Sequence, residues 1–336
     1  MQLPYKLRTW VDKDKLIWYK LCQNPNAIDL VKQYPEKINW AELSLNENAI
    51  ELLEQNIDKV VWEDLAIHNS RALELLQKYP QYLPEHKKLY CLCYNSNPDA
   101  IELIKAKIEK NKHRIKFHSI CNCDDDTEDD ESDYEECNCY YCNLQLDWRS
   151  LSENPNAVSI LEQHSEKIDW FWITKNTKAI HIIEQNIENM DDVELLSTNP
   201  NAIKLLKQYP ELIDWKWLSE NPNAMNLLLE NPNKIDWSML SQNPNPIAIQ
   251  MLKQNPDKID GKWLSYNKNP EAMELLEKYQ DKIDWWHFTL NPNIFILDYS
   301  KMKENRKELN REIIEKAMHP TRIAKWLEHG LNLDDI

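Results

Sequence analysis

A tandem repeat with a period of 22 residues constrains this chain more than any other feature of its sequence. Trp18 and Trp40, Trp40 and Trp62, and Trp215 and Trp237 are each 22 residues apart. Each Trp is followed by Leu-Ser or its equivalent, then by Asn-Pro-Asn-Ala and an apolar doublet, and Lys-Ile-Asp precedes the next Trp. Such self-similar units predict stacked copies of one small structural element, because a single copy cannot bury its apolar residues alone.

The residues of each repeat predict two helices. In the first repeat, Asn24 suits an N-cap, Pro25 suits the first helical position, and Pro35 ends a helix of about three turns. A shorter helix is expected after a capping Asn39 or Asp169. Helices of this length are not stable alone, so each must bury its apolar stripe against its neighbours.

We therefore predict an all-α fold with no β-sheet, namely an α-solenoid of about eleven 22-residue helical repeats with helical caps. Weaker copies of the repeat stay in register with the others but have another residue where Trp is expected. These residues are Leu89, Phe117, Val193 and Gly261. Layers packed about 10 Å apart predict a curved rod on the order of 100 Å long.

Segments that break the repeat frame lie at both ends of the chain. Lys301–Lys316 and Pro320–His329 are expected to be helices, with Gly330 placed as a C-cap. The predicted organisation is an N-terminal cap at 1–16, a repeat solenoid at 17–299 with an acidic, Cys-rich insert at 122–143, and a C-terminal helical cap at 300–336.

The repeat motifs Asn-Pro-Asn-Ala-Ile, Leu-Leu-Glu and Lys-Ile-Asp-Trp resemble those of tandem short-repeat proteins of giant DNA viruses of the mimivirus type. The segment from His319 to Leu327 is similar to a C-terminal segment that many such proteins share. The resemblance covers nearly the whole chain apart from roughly residues 120–145. It implies expression in a host cytoplasm, in the virus factory or in the virion, and it implies no biochemical activity.

Composition argues against several functional classes. Two glycines are too few for a phosphate-binding loop or a dinucleotide fold, and no apolar run is long enough to span a membrane. Ten acidic residues fall within 124–136, the rest of the chain is mildly acidic, and the arginines are scattered rather than clustered as nucleic-acid binding requires. No catalytic motif of the H-E-x-x-H or G-x-S-x-G kind occurs. We expect neither an enzyme nor a nucleic-acid or membrane binder.

The cysteines divide into two groups. Cys22, Cys93 and Cys121 stand at the Ser position of the repeat, where a small residue closes the short helix. A second group lies beside the acidic insert with the density of a zinc site, although only Cys139 and Cys142 have the usual two-residue spacing. The alternative is an acidic loop flanked by reduced thiols, with no cofactor. The candidate zinc ligands are Cys123, Cys137, Cys139 and Cys142.

The residue two positions after each Trp, which we call the variable row, changes character along the chain. In the N-terminal repeats it is polar or small, and in the C-terminal repeats it is mostly apolar. An apolar row on one face predicts a partner-binding surface, although the same residues could instead pack between layers or under the C-terminal helices. The candidate binding residues are Trp172, Leu195, Trp217, Met239 and Trp263.

These observations predict a non-enzymatic protein–protein interaction scaffold of a giant virus. Its partners would be proteins, with no nucleic acid and no membrane involved. Two alternatives stay open at this point. The chain could be a structural component of the virion, as a minor capsid or internal protein, or a zinc-binding regulatory protein that uses the cysteine cluster.

Overall fold

The computed structural model describes residues 3–111, 146–190 and 193–329, and within these ranges the chain is mostly helical. Two kinds of helix alternate. The first helix of each repeat begins at the Trp position or close to it, and the segment Glu194–Thr198 forms it as a 3-10 helix. The first helices are Trp18–Leu21, Trp40–Ser44, Trp62–His68, Glu85–Tyr94, Trp148–Glu153, Trp170–Ile173, Glu194–Thr198, Trp215–Glu220, Trp237–Gln242, Gly261–Tyr266 and Trp285–Leu290.

The second helix of each repeat follows the Asn-Pro-Asn-Ala motif or its equivalent. A short 3-10 turn, such as Pro35–Lys37 or Pro210–Leu212, commonly follows it and leads to the next repeat. The second helices are Ile28–Val31, Ile50–Glu54, Leu73–Lys78, Pro98–Asn111, Val158–Gln163, Ile180–Asn186, Ile203–Gln208, Met225–Glu230, Pro246–Gln254 and Ala272–Lys278.

The first helices begin where the sequence predicts them. Asn39 Oδ1 accepts the backbone N–H of Glu42 at 3.1 Å, and Asp169 Oδ1 accepts that of Trp172 at 3.0 Å, so both predicted caps are confirmed. The tryptophans that we expected at equivalent sites each form the first residue of such a helix. They are Trp40, Trp62, Trp148, Trp170, Trp215, Trp237 and Trp285.

The second helix of the first repeat is shorter than predicted. It runs only from Ile28 to Val31, with Ala27 at its N-cap, so the expected helix starting at Pro25 is wrong. Asn24 Oδ1 instead accepts the backbone N–H of Asn26 at 3.0 Å, which forms a local turn before the helix. The asparagine is therefore a turn residue, and its amide nitrogen is available for other contacts.

A small β-sheet is present, so the prediction of no sheet is wrong. Strand β1, Tyr5–Leu7, pairs antiparallel with strand β2, Phe295–Leu297. Tyr5 lies opposite Leu297, and Leu7 lies opposite Phe295. Strands of three residues are too short to produce a recognisable alternation, and these two come from opposite ends of the sequence.

The chain divides into two compact units. One is Asp12–Ile294, which contains the repeats, and the other combines Met1–Val11 with Phe295–Ile336. The second unit holds the two strands and the helices Tyr299–Ala317 and Pro320–Glu328, close to the two C-terminal helices that the sequence predicts. The pairing of N-terminal and C-terminal segments in one unit was not predicted.

The core of the repeat unit lies between the first and second helices. Leu218 of a first helix and Ala224 and Leu228 of the following segment are completely buried, and equivalent residues recur along the chain. Neighbouring first helices pack on one another along most of the series, and several second helices, such as Pro246–Gln254 and Ala272–Lys278, pack on their own first helix. Within the part of the chain that the structure describes, no helix combines the length and apolar character of a membrane span.

Candidate functional site

A buried asparagine side chain joins each repeat to the one before it. Asn221 Nδ2 donates hydrogen bonds to the carbonyl oxygens of Ser197 and Asn199, both at 2.9 Å. Its Oδ1 accepts the N–H of Asn223 at 2.9 Å. Because the side chain is completely buried and both of its polar atoms are paired, the amide carries no unsatisfied group into the core.

The same pair of donated bonds recurs along the repeats. Each asparagine bonds to the carbonyl of its counterpart in the preceding repeat and to a carbonyl two or three residues before that counterpart. We call this set the asparagine circuit. Within the described residues its eleven members are Asn24, Asn46, Asn69, Asn95, Asn154, Asn176, Asn199, Asn221, Asn243, Asn267 and Asn291.

The first repeat is bonded to the last in the same way. Asn24 Nδ2 donates to the carbonyl oxygens of Thr289 at 2.9 Å and Asn291 at 3.0 Å. The N–H of Ile17 donates to Thr289 Oγ1 at 3.1 Å. The open rod expected from the sequence, with its two ends far apart, is therefore wrong. We call the junction between the first and last repeats the seam.

A second kind of contact also continues across the seam. At an internal junction, Lys258 Nζ lies 4.3 Å from the ring centroid of Trp237 in the preceding repeat. At the seam, Lys15 Nζ lies 5.3 Å from the ring centroid of Trp285. Both are cation–π contacts between the Lys before one first helix and the Trp of the previous one. The seam thus reuses the contacts of an ordinary junction.

No repeat stands between Asn95 and Asn154 in the circuit. Asn154 Nδ2 donates directly to the carbonyls of Cys93 at 3.1 Å and Asn95 at 3.0 Å. The sequence predicts a weak copy of the repeat around Phe117, with Ser119 in the variable row, between these two residues. That copy and Cys121 lie outside the described residues.

The residue at the Ser position contributes a further bond between repeats. Ser219 Oγ accepts the N–H of Asp236 in the next repeat at 3.0 Å. Cys22 and Cys93 are buried at the same position, and Cys93 Sγ accepts the N–H of Asp147 at 3.4 Å. Burial raises the pKa of the Cys93 thiol to about 12, so the thiol is neutral at physiological pH. The sequence predicted the small size of this residue but not its role as an acceptor.

The variable row is only partly accessible at the candidate binding residues. The side chains of Trp172, Leu195, Trp217 and Trp263 are half-buried, so each keeps some exposed surface. Met239 is 6% exposed and belongs to the buried core instead. The structure therefore leaves four of the five candidates able to touch a partner without rearrangement.

Row residues of neighbouring repeats contact one another. The rings of Trp263 and His287 are 6.4 Å apart between centroids. Lys20 Nζ lies 2.7 Å from Glu42 Oε1, and their side chains are 18% and 16% exposed. Lys20 Nζ also lies 5.3 Å from the ring centroid of Trp286, across the seam. Lys20 and Glu42 therefore form a largely buried ion pair, not a freely solvated part of the row.

Sequence reasoning missed aromatic residues beside the row. Tyr19, Tyr266 and Trp286 lie on the same first helices and are exposed. The Tyr19 and Trp286 rings are 5.5 Å apart across the seam, and the Tyr266 and His287 rings are 6.1 Å apart. The sequence could have indicated these residues, because each lies one or five residues after the Trp position and so belongs to a first helix. With the row tryptophans, Tyr266 and Trp286 form what we call the aromatic sector, and Tyr19 contacts its last member across the seam.

Charged groups lie among these aromatic side chains. Lys262 Nζ lies 4.7 Å from the ring centroid of Trp263, and Lys216 Nζ lies 5.2 Å from that of Trp217. Burial raises the pKa of the Glu220 carboxyl group, and the nearby positive charge of a lysine opposes the shift only in part. The face thus combines aromatic side chains, which are enriched at protein-binding surfaces, with lysines, which are not.

The predicted zinc ligands Cys123, Cys137, Cys139 and Cys142 all lie outside the described residues. Burial raises the pKa of Cys91 to about 11, so this thiol is also protonated at neutral pH. In the described ranges, no group of three or more His, Cys, Asp or Glu side chains could hold a metal ion. The zinc site stays a prediction.

Comparison with family models, curated proteins and solved structures found no match for this chain. The resemblance to giant-virus proteins therefore has no support besides the sequence motifs.

Proposed function

We propose that the repeats of Asp12–Ile294 form a closed α-solenoid of eleven repeats, with the first helices on its inner circumference. The asparagine circuit supports closure because its last bonds return to the first repeat. The close packing of neighbouring first helices supports their inner position, since elements on the inside of a ring lie closest together. With helix axes about 9 Å apart, the ring of axes would be about 30 Å across and would enclose a space about 20 Å wide.

The function that this geometry supports best is that of a non-enzymatic protein-binding scaffold, whose contact surface is the exposed face of the first helices. The observation that carries the proposal is the aromatic sector of Trp172, Trp217, Trp263, Tyr266 and Trp286 on one face. Large, partly exposed aromatic side chains on a rigid scaffold supply most of the binding energy at protein interfaces.

The sequence resemblance supports a place for this scaffold in a giant-virus infection, in the host cytoplasm, the virus factory or the virion. A structural role inside the particle is the alternative that would use the same ring without a specific binding face. Abundance in purified virions, measured by mass spectrometry, separates the two, because a structural component is present in many copies per particle.

Substitution of the row tryptophans tests the binding face. We expect Trp217→Ala combined with Trp263→Ala to remove most partner recovery in affinity purification from infected cells followed by mass spectrometry. Stability should fall by only about 1–2 kcal/mol per site, because half-buried side chains lose less than fully buried ones. The readouts are the set of recovered proteins and the Tm of the purified variant.

The matched control replaces exposed apolar residues of the second helices. Leu229→Ala combined with Ile247→Ala removes apolar surface from Met225–Glu230 and Pro246–Gln254 without touching the first helices. This variant should retain every partner. The binding face would be wrong if the tryptophan variant recovered the same proteins as the wild type.

A further inference from the structure

The seam differs from every other junction of the asparagine circuit in one respect. At the other junctions the polypeptide itself passes from one repeat to the next. At the seam it does not, because Ile17 belongs to the start of the repeat series and Thr289 to its end. Only non-covalent contacts hold the first helix Trp18–Leu21 against Trp285–Leu290.

Only non-covalent contacts have to break for the seam to separate. They include the two bonds of Asn24, the bond from Ile17 to Thr289, and a bond from Asn26 Nδ2 to the Pro292 carbonyl at 3.0 Å. Each resembles a bond at an internal junction. The contacts of Lys15 with Trp285 and of Tyr19 and Lys20 with Trp286 also cross the seam, but none of these contacts replaces the missing covalent link. The seam is therefore the junction most easily opened.

The strands β1 and β2 belong to the chain segments on either side of the seam. Phe295, the first residue of β2, directly follows the last repeat, and it pairs with Leu7 of β1. The pairing keeps the two ends of the repeat series at high effective concentration, which favours reclosure after each opening. An isolated two-stranded pair of this length is only marginally stable, so it can separate without unfolding the repeats.

We propose that the ring opens and recloses at the seam, with the β1–β2 pair as the latch. Opening would expose the inner face along one line and admit a partner sideways, so an elongated or assembled partner need not thread through the ring. The proposal rests on the closed solenoid and adds a conformational device to it. It does not depend on which protein binds the aromatic sector, so its test is independent of partner recovery.

Hydrogen exchange at single-residue resolution tests the opening on the wild-type protein. The N–H of Ile17 bonds to the hydroxyl of Thr289 across the seam, while those of Asp214 and Asp236 make the same kind of bond across internal junctions. We expect the protection factor of Ile17 to be at least about tenfold lower than those of the two internal amides. Equal protection at the three amides would overturn the proposal.

A cross-link across the strands tests the latch. Tyr5 and Leu297 face each other, and the bond from Asp298 N–H to the Pro4 carbonyl places them at a non-hydrogen-bonded position, where a disulfide fits. In Tyr5→Cys/Leu297→Cys, oxidation should raise Ile17 protection at least about fivefold, and reduction should reverse the change. Unchanged Ile17 protection, with the disulfide verified by peptide mapping, would show that the strands are not the latch.

The two single variants, Tyr5→Cys and Leu297→Cys, are controls for the effect of changing the side chains without forming the cross-link. Neither can form the cross-link, so Ile17 protection in both should be insensitive to oxidation. A response in either single variant would assign the effect to other cysteines and overturn the latch.

Discussion

At the scale of the residue, one asparagine per repeat carries two separate tasks. In Asn221 the amide oxygen fixes the turn before the second helix, and the amide nitrogen binds the preceding repeat. Only a side chain with a donor and an acceptor at this distance from the backbone can do both. Aspartate has the shape but not the donor, which explains why the repeat uses Asn here and Asp at the cap of the first helix.

Replacement of this asparagine should be costly. We expect Asn221→Ala to lower the free energy of unfolding by about 2 kcal/mol or more, because the Ser197 carbonyl and the Asn223 N–H lose this partner, while the Asn199 carbonyl keeps only the N–H of Ala202. The control is Asn223→Ala, which removes an exposed bond to Pro200 and should lose less than about 1 kcal/mol. Urea unfolding of both variants provides the comparison. Equal losses would contradict a special role for the buried amide.

Cys93, which stands at the Ser position of the fourth repeat, makes the stability of the folded protein depend on pH. Burial raises the pKa of Cys93 from 9.0 to about 12, so the thiol ionises more easily in the unfolded chain. Its contribution to stability is complete below about pH 9 and is lost as pH rises towards about 12. Cys93→Ser places the usual hydroxyl at this position and removes the titrating thiol. We therefore expect the Tm of this variant to fall less than that of the wild type as the pH rises through this range.

The same burial has a chemical consequence at neutral pH. Cys93 should resist iodoacetamide at pH 8 in the folded protein and react after unfolding in urea, as read by peptide mapping. Rapid labelling of Cys93 in the native state would contradict its burial.

At the scale of the element, one of the replacements of the starting Trp, Gly261, has a steric reason. A Cβ atom on Gly261 would lie 1.8 Å from the backbone carbonyl oxygen of Lys282 in the next repeat. The backbones of Gly261 and Lys282 therefore approach closely. Lys282 Nζ also donates to the Ile259 carbonyl at 3.1 Å. The glycine that looked like a weak copy of the repeat is thus required by the packing.

Even the smallest side chain should disturb this junction. We expect Gly261→Ala to lose about 1–3 kcal/mol, because the clash is with backbone atoms that cannot move aside alone. Lys262→Ala, one residue along and exposed, is the matched control and should stay within about 0.5 kcal/mol of the wild type. A stabilised Gly261→Ala variant, as expected for an ordinary helical glycine, would contradict the contact.

At the scale of the whole repeat unit, closure removes the distinction between terminal and internal repeats. In an open array the terminal repeats make one interface instead of two and separate first. In a closed array Asn24 has the same environment as Asn221, although it lies in the first repeat.

Asn24→Ala measures this equivalence. In the closed ring we expect it to lose at least half as much stability as Asn221→Ala, because it removes the same two buried hydrogen bonds, here to the carbonyls of Thr289 and Asn291. In an open rod Asn24 would face solvent and its replacement would be nearly neutral. Urea unfolding of the two variants under the same conditions distinguishes the arrangements.

The sequence predicted the helices well because each is encoded locally. The Asp or Asn cap, the Trp and the Leu-Ser pair all lie within a few residues of one another, so the first helices could be located from Trp40 or Trp215 alone. The proposed closure could not be predicted in this way. It would depend on small rotations between repeats that add up to a full turn, and no residue of a single repeat encodes their sum.

The candidate binding face was predicted in part for a related reason. The period identified Trp172, Trp217 and Trp263, because large residues recur at one position. The period could not show that Met239 is buried while Leu195 is half-buried, since both are apolar residues at the same position of the repeat. Tyr266 and Trp286 were missed because they occupy neighbouring positions of the first helix, where no series repeats.

The asparagine circuit also has a direction. Every side-chain amide donates to the preceding repeat and none to the following one, so the local dipoles point the same way around the series. In a linear array such vectors would add and leave an electrostatic difference between the two ends, as they do along a helix. Around a closed loop their sum vanishes, and no final donor or acceptor is left over. A uniform direction of the bonds and a zero net dipole, which exclude each other in a rod, would be compatible in the proposed ring.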